Sequence, residues 1–157
     1  GMIALSIFLY LRKHNPYRDL PLSQYREAMP HLETALKRNP GDFELNDRAG
    51  KYTLYGKQYR KSSGHLKVCK RQKPKNPSVA LLYGAALLGA GNPYDGRKVL
   101  SKRFGNLSEH QHKLIRKKLQ SYRLPSELEE RVYSAIGIGG AEQGYRIEKV
   151  RRSLLAN

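Results

Sequence analysis

Prolines and small residues recur along this chain at a nearly fixed interval. Pro40 and Pro74 are 34 apart. Leu45 and Ala80, Ala49 and Gly84, Gly56 and Gly91, and Tyr59 and Tyr94 are each 35 apart. A period of this length fits one helix–turn–helix unit, and self-similarity at such a period constrains the fold more than composition does. Glycine inside a helix costs about 1 kcal/mol relative to alanine. Its return at one phase therefore implies close helix packing that offsets the cost. The stretch from Arg26 to Pro40 carries the same message, with Ala28 and Ala35 seven apart, Leu36 next and Pro40 closing.

Helical punctuation fills the rest. Pro21-Leu22-Ser23 opens a helix, Asn39-Pro40-Gly41-Asp42 closes it and caps the next, and the stretch from Lys73 to Ser78 repeats the pattern. Ser108 with Gln111, and Ser126 with Glu129, have the spacing of capping boxes. Pro30 should kink its helix, because it removes one backbone donor. No sustained period-2 alternation and no Asn-Gly hairpin signal is present. The reading is about eight helices joined by short loops.

With these residues in place, the chain resembles the tetratricopeptide repeat. In that motif the second helix carries two small residues seven apart, then Leu and a closing Pro, here Ala28, Ala35, Leu36 and Pro40. In the second unit Leu45, Ala49, Tyr52, Gly56, Tyr59, Ser62, Cys69 and Pro74 take the motif positions. In the third, Ala80, Tyr83, Gly84, Leu87, Gly91 and Tyr94 do so. Gly96-Arg97 and Phe104 stand where alanines belong. The resemblance implies an all-α, right-handed solenoid of three to four helical hairpins. Its repeats would span 3–40, 42–75 and 77–105, followed by irregular helices over 108–157. A fourth unit can be laid there, with Gly139 or Gly140 at the turn, Tyr145 after it and Ser153-Leu154 near its end. Such stacks bind peptides in a groove lined by their first helices. By resemblance that groove comprises Asn46, Gly50 and Thr53 of the second unit and Leu81, Ala85 and Leu88 of the third. The carboxylate clamp of the family's best-known subclass finds only Asn46.

Thirty Lys and Arg against thirteen Asp and Glu give a net charge of +17, which attracts polyanions without selecting one. The cations concentrate in three runs. Lys67, Lys70 and Arg71 stand in the first. Lys113, Arg116, Lys117 and Lys118 lie in a basic amphipathic segment with Leu114, Ile115, Leu119 and Tyr122 on its other side. Arg151 and Arg152 stand near the end. Together they are the expected basic face. Tyr52, Tyr55 and Tyr59, interleaved with Lys and Arg, would suit base stacking.

Chemistry is not signalled. The histidines at 14, 31, 65, 110 and 112 are scattered, metal-ligand spacings are absent, and the single Cys69 reads as a small core residue. Gly137 to Gly140 lacks the Lys-Ser/Thr of a phosphate loop. No catalytic residue, metal or cofactor is therefore assigned. Gly1 reads as a tag remnant. The apolar run from Ile3 to Leu11 reads as the first core helix, since nine residues cannot span a bilayer that needs about 20. Its Arg12-Lys13 flank admits a second reading, the stub of a membrane anchor. The leading expectation is a cytoplasmic, non-catalytic protein-interaction scaffold with an acidic or apolar partner. A basic RNA-binding module and the soluble domain of a membrane-anchored assembly factor are the alternatives.

Overall fold

The computed structural model describes residues 20–138, with 3, 152 and 154–156. Among these residues every regular element is helical. A 3-10 turn, Leu22–Gln24, leads into α1 (Tyr25–Arg38), α2 (Phe43–Tyr55), α3 (Tyr59–Gln72), α4 (Pro77–Gly89), α5 (Pro93–Phe104), α6 (Glu109–Ser121) and α7 (Ser126–Ile136). The links between them are three or four residues long, so successive helices fold back on one another. Each helix from α1 to α5 packs on its neighbour in the chain. Then the order changes: α7 packs closely on α5 and α4, α6 adds Leu119 to their core, and α2 touches α4 one layer earlier. The result is a stack of helical hairpins in which α7 occupies the place of the next first helix and α6 is an inserted connection. The expected fourth unit lies largely outside the described residues, as does the run from Ile3 to Leu11, of which only Ile3 is described.

Local chemistry sets the boundaries. Asp42 and Asn76, again 34 apart, are extended residues whose side chains accept from the backbone N–H of Leu45 and Val79, at 2.8 and 3.1 Å. Each satisfies a donor that the helix leaves open. Pro77 follows at the first helical position, where a missing N–H costs nothing. Ser108 and Gln111 form the expected capping box. Ser126 does not: Pro125 precedes the helix as its cap, and Ser126 is already inside it. Pro30 is exposed and α1 continues through it to Arg38, with the Thr34 hydroxyl donating to the Pro30 carbonyl.

The helices repeat at 34 residues. α1 and α3 have 14 residues each and start 34 apart; α2 and α4 have 13 each and do the same. The 35-residue pairings expected from sequence are therefore one residue out of step. Gly50, not Ala49, corresponds to Gly84; Lys57, not Gly56, corresponds to Gly91; and Leu45 corresponds to Val79. Tyr59 corresponds to Pro93, and Tyr94 projects into solvent with 77% of its surface exposed.

Corrected phase shows why the glycines are there. A Cβ at Gly50 would lie 2.6 Å from Cγ of Leu66, and one at Gly84 would lie closer still to Cγ of Leu100. Leu32, Leu66 and Leu100 share one repeat position, and all are fully buried. In each of the two later hairpins the leucine of the second helix seats against the glycine of the first. Burying a leucine contributes about 1.5–3 kcal/mol, enough to offset the glycine's cost in helix propensity. Next to this socket, the Ser62 hydroxyl donates to the Gly50 carbonyl at 2.8 Å. Gly96, at the matching position, brings its backbone against Gly84; a Cβ there would lie 3.1 Å from the Gly84 oxygen. Ala28, Ser62 and Gly96 are thus one repeat position kept small for close helix approach, and all three are buried. Ala35 is only half-buried.

The rings of Tyr25 and Tyr59 play a related role between hairpins, lying over Gly56 and Gly89, where an added Cβ would come within 2.7 and 2.6 Å of them. The Tyr52 hydroxyl donates to the Leu20 carbonyl at 2.6 Å and ties the chain's entry to α2.

Gly84→Ala should lower the unfolding free energy by about 1–3 kcal/mol through overpacking against Leu100. Gly64, exposed within α3, has nothing within 4 Å of where a Cβ would stand. Gly64→Ala should raise stability by up to about 1 kcal/mol. Urea denaturation of the two variants checks the opposite signs.

Candidate partner-binding site

The six positions expected to line a groove are all interior. Thr53 and Ala85 are fully buried, Leu88 is 1% exposed, and Asn46 and Leu81 are 2% exposed. Gly50 holds the Leu66 socket. The Thr53 hydroxyl donates to the carbonyls of Ala49 and Gly50. Asn46 donates from its amide to the carbonyls of Pro40 and Asp42, at 3.0 and 2.7 Å, and so fixes the turn before α2. Leu81, Ala85 and Leu88 share a core with Leu128, Val132 and Ile136 of α7. The groove expectation is corrected accordingly: these side chains close the stack. In addition, the 34-residue phase makes Ala80, Gly84 and Leu87 the counterparts of Asn46, Gly50 and Thr53.

Asn46 also orients His65. With its amide nitrogen occupied, its side-chain oxygen faces His65 Nδ1 at 3.2 Å, which assigns the ring proton to that nitrogen. Burial pushes the His65 pKa down, and the carboxylate of Glu33 opposes this in part.

The residues expected to form a basic face differ in exposure. Lys67 and Arg71 are exposed on α3. Lys113, Lys117 and Lys118 are exposed on α6, but Arg116 is half-buried with its guanidinium 5.2 Å from the Tyr133 ring centre. On the apolar side of α6, Leu119 and Tyr122 are buried, yet Leu114 remains 56% exposed. Arg152 is exposed, and Arg151 lies outside the described residues.

Lys70 is different. It borders a cleft of about 660 Å³ lined by Lys70, Pro74, Lys75, Lys98, Val99, Lys102 and Arg103, where the end of α3 and its following loop meet α5. Five cations and no acid line it, around a floor of Val99 and Pro74. Lys70 Nζ donates to the Pro74 carbonyl at 2.6 Å, and Arg103 donates to the Lys75 carbonyl at 3.4 Å. These bonds hold two of the cations in place. Partial burial pushes the Lys70 pKa down, and the charges of Lys102 and Arg103 push it further in the same direction. Desolvation is the larger cause, and the two neighbouring cations add to it. In the sequence Lys75 belongs to the same basic run as Lys70, whereas Lys98, Lys102 and Arg103 stand outside the three runs. A signal for these was present, because Lys98 and Lys102 are four apart and share one face of α5.

Among the described residues, no group of three or more His, Cys, Asp or Glu could hold a metal ion. No helix among them is long and apolar enough to cross a membrane. Compared with protein-family models, curated proteins and solved structures, the chain matches none.

Cys69 is fully buried and donates to the Phe43 carbonyl. Burial, with a smaller push from Asp47, raises its thiol pKa to about 12. Since the thiolate is the reactive form, the native protein should fail to react with a thiol-specific disulfide reagent at pH 8. Full reaction is expected after unfolding in guanidinium. Absorbance of the released thiolate checks this.

Proposed function

We propose that this chain is a non-catalytic helical-repeat scaffold, of the tetratricopeptide-like kind its residues resemble, and that its partner is an acidic protein segment held in the cleft between α3 and α5. The observation that carries this reading is the cleft itself, with five cations, no acid and an apolar floor. Carboxylates of a partner would answer the field of Lys70, Lys75, Lys98, Lys102 and Arg103. An apolar side chain beside them would cover Val99 and Pro74. The chain's charge of +17 adds long-range steering of an acidic partner, which raises the association rate. The apolar floor favours a peptide over a bare polyanion, whose phosphates would leave Val99 uncovered.

The test uses a fluorescently labelled peptide of alternating Glu and Leu, titrated by anisotropy at about 0.15 M salt, a physiological ionic strength. Lys98→Glu/Lys102→Glu should weaken its binding by at least about tenfold, or 1.4 kcal/mol. Thermal stability should hold, because both side chains are exposed. A Gln-for-Glu peptide should not bind. Equal affinity in the variant, or equal affinity for the neutral peptide, would refute the proposal.

A further inference from the structure

Among the described residues four helix ends close through a residue with left-handed backbone: Lys57 (φ 61°), Gly91 (φ 86°), Arg123 (φ 53°) and Gly137 (φ 86°). Glycine is the usual occupant of this position, because a Cβ there crowds the backbone. Gly91 and Gly137 follow that rule. Lys57 and Arg123 do not.

The repeat makes the comparison sharp. Positions 57 and 91 are the same place in successive units, and both turns carry the same closing bond. The N–H of Gln58 reaches the Thr53 carbonyl at 2.8 Å, and that of Asn92 reaches the Leu87 carbonyl at 2.9 Å. The turn therefore closes with glycine as well as with lysine, and the geometry gives no reason for a lysine at position 57. Strained backbone that the fold does not require is characteristic of functional sites.

Both exceptions are cations, and both line the same pocket. It holds about 370 Å³ and is walled by Tyr25, Tyr55, Gly56, Lys57, Arg123, Leu124 and Pro125. Tyr25 and Tyr55 meet edge to face, with ring centres 5.7 Å apart and planes at 61°. Outside the lining, the Arg26 guanidinium lies 5.7 Å from the Tyr25 ring centre, and its Nε donates to the Tyr25 hydroxyl at 3.2 Å. No carboxylate lines the pocket. Its size falls within the usual range for small-molecule sites, about 300–1,000 Å³.

We infer that this pocket binds a nucleotide, with the base against Tyr25 and Tyr55 and the phosphate between Lys57 and Arg123. Aromatic faces accept any base by stacking, and paired cations hold a phosphate. A phosphate alone would leave the Tyr55 ring unused, and an apolar ligand would leave the cations unanswered. The shared chemistry is a flat ring carrying a phosphate, available from a free mononucleotide or from one unit of a single-stranded RNA. The pocket shares no residue with the acidic-segment cleft, so the two readings stand or fall separately.

The test titrates uridine monophosphate, a short oligouridylate and inorganic phosphate into the full chain by calorimetry. Its variants are Lys57→Gly, Arg123→Gly, their combination, and Tyr55→Leu. Glycine relaxes the left-handed backbone, so the melting temperature should hold or rise in the glycine variants. Nucleotide affinity should fall about tenfold or more in the double glycine variant, and it should also fall in Tyr55→Leu. Binding of the monophosphate identifies a free nucleotide as the ligand, and binding of the oligomer alone identifies single-stranded RNA; either result supports the site. It is overturned if the wild-type chain binds neither, if the double variant binds as tightly as wild type, or if inorganic phosphate binds as well as the nucleotide.

Discussion

Within the hairpins formed by α2 with α3 and α4 with α5, one leucine seats on one glycine. Leu66 against Gly50 and Leu100 against Gly84 bring the helix backbones close enough for Ser62 to reach the Gly50 carbonyl and for Gly96 to lie against Gly84. Everything outside depends on that approach. It sets the phase at which Tyr25 and Tyr59 cover Gly56 and Gly89 between hairpins. It also brings the end of α3 beside α5, where the charged cleft lies. A hairpin packed this way cannot bury its whole apolar surface alone, so the units stack; one core runs from Leu54 to Ile138, and a second, smaller one joins α1 to α2.

Much of this architecture was legible because it depends on local chemistry. Asp42, Asn76 and Ser108 cap helices through bonds a few residues long, and Pro77 and Pro93 begin helices with φ already set. Ala28 and Ser62 mark helix contact by their size alone. The phase was legible only to within one residue. Gly56 and Gly91 invite alignment as turn glycines, yet Gly56 is glycine to accommodate Tyr25, and the left-handed place beside it is held by Lys57. Two different demands for glycine sit side by side in sequence and look alike there. The slip from 34 to 35 then carried into Leu81, Ala85 and Leu88 as groove positions.

The proposed binding surfaces were less legible for a different reason. Charge along a chain shows how many cations there are, while a site needs cations from separate elements to meet. Lys70 and Lys75 come from the end of α3 and its loop, and Lys98, Lys102 and Arg103 from α5, more than twenty residues later. Lys57 and Arg123 are 66 residues apart and meet across one pocket. In the denser run on α6, Arg116 stacks on Tyr133. Tertiary arrangement, which no linear window reports, decides which positive charges act together.

The most direct test of the central claim is a double-mutant cycle on the second unit's socket, by urea denaturation of Gly50→Ala, Leu66→Ala and the pair. Singly, the first should cost about 1–3 kcal/mol by overpacking and the second about 2–5 kcal/mol by leaving a cavity. If Leu66 seats on Gly50, the new methyl fills space that the lost leucine vacates. The double variant should then be more stable than the summed losses by at least about 1 kcal/mol. Losses that add to within about 0.5 kcal/mol would show that the two residues do not share the space on which this packing depends.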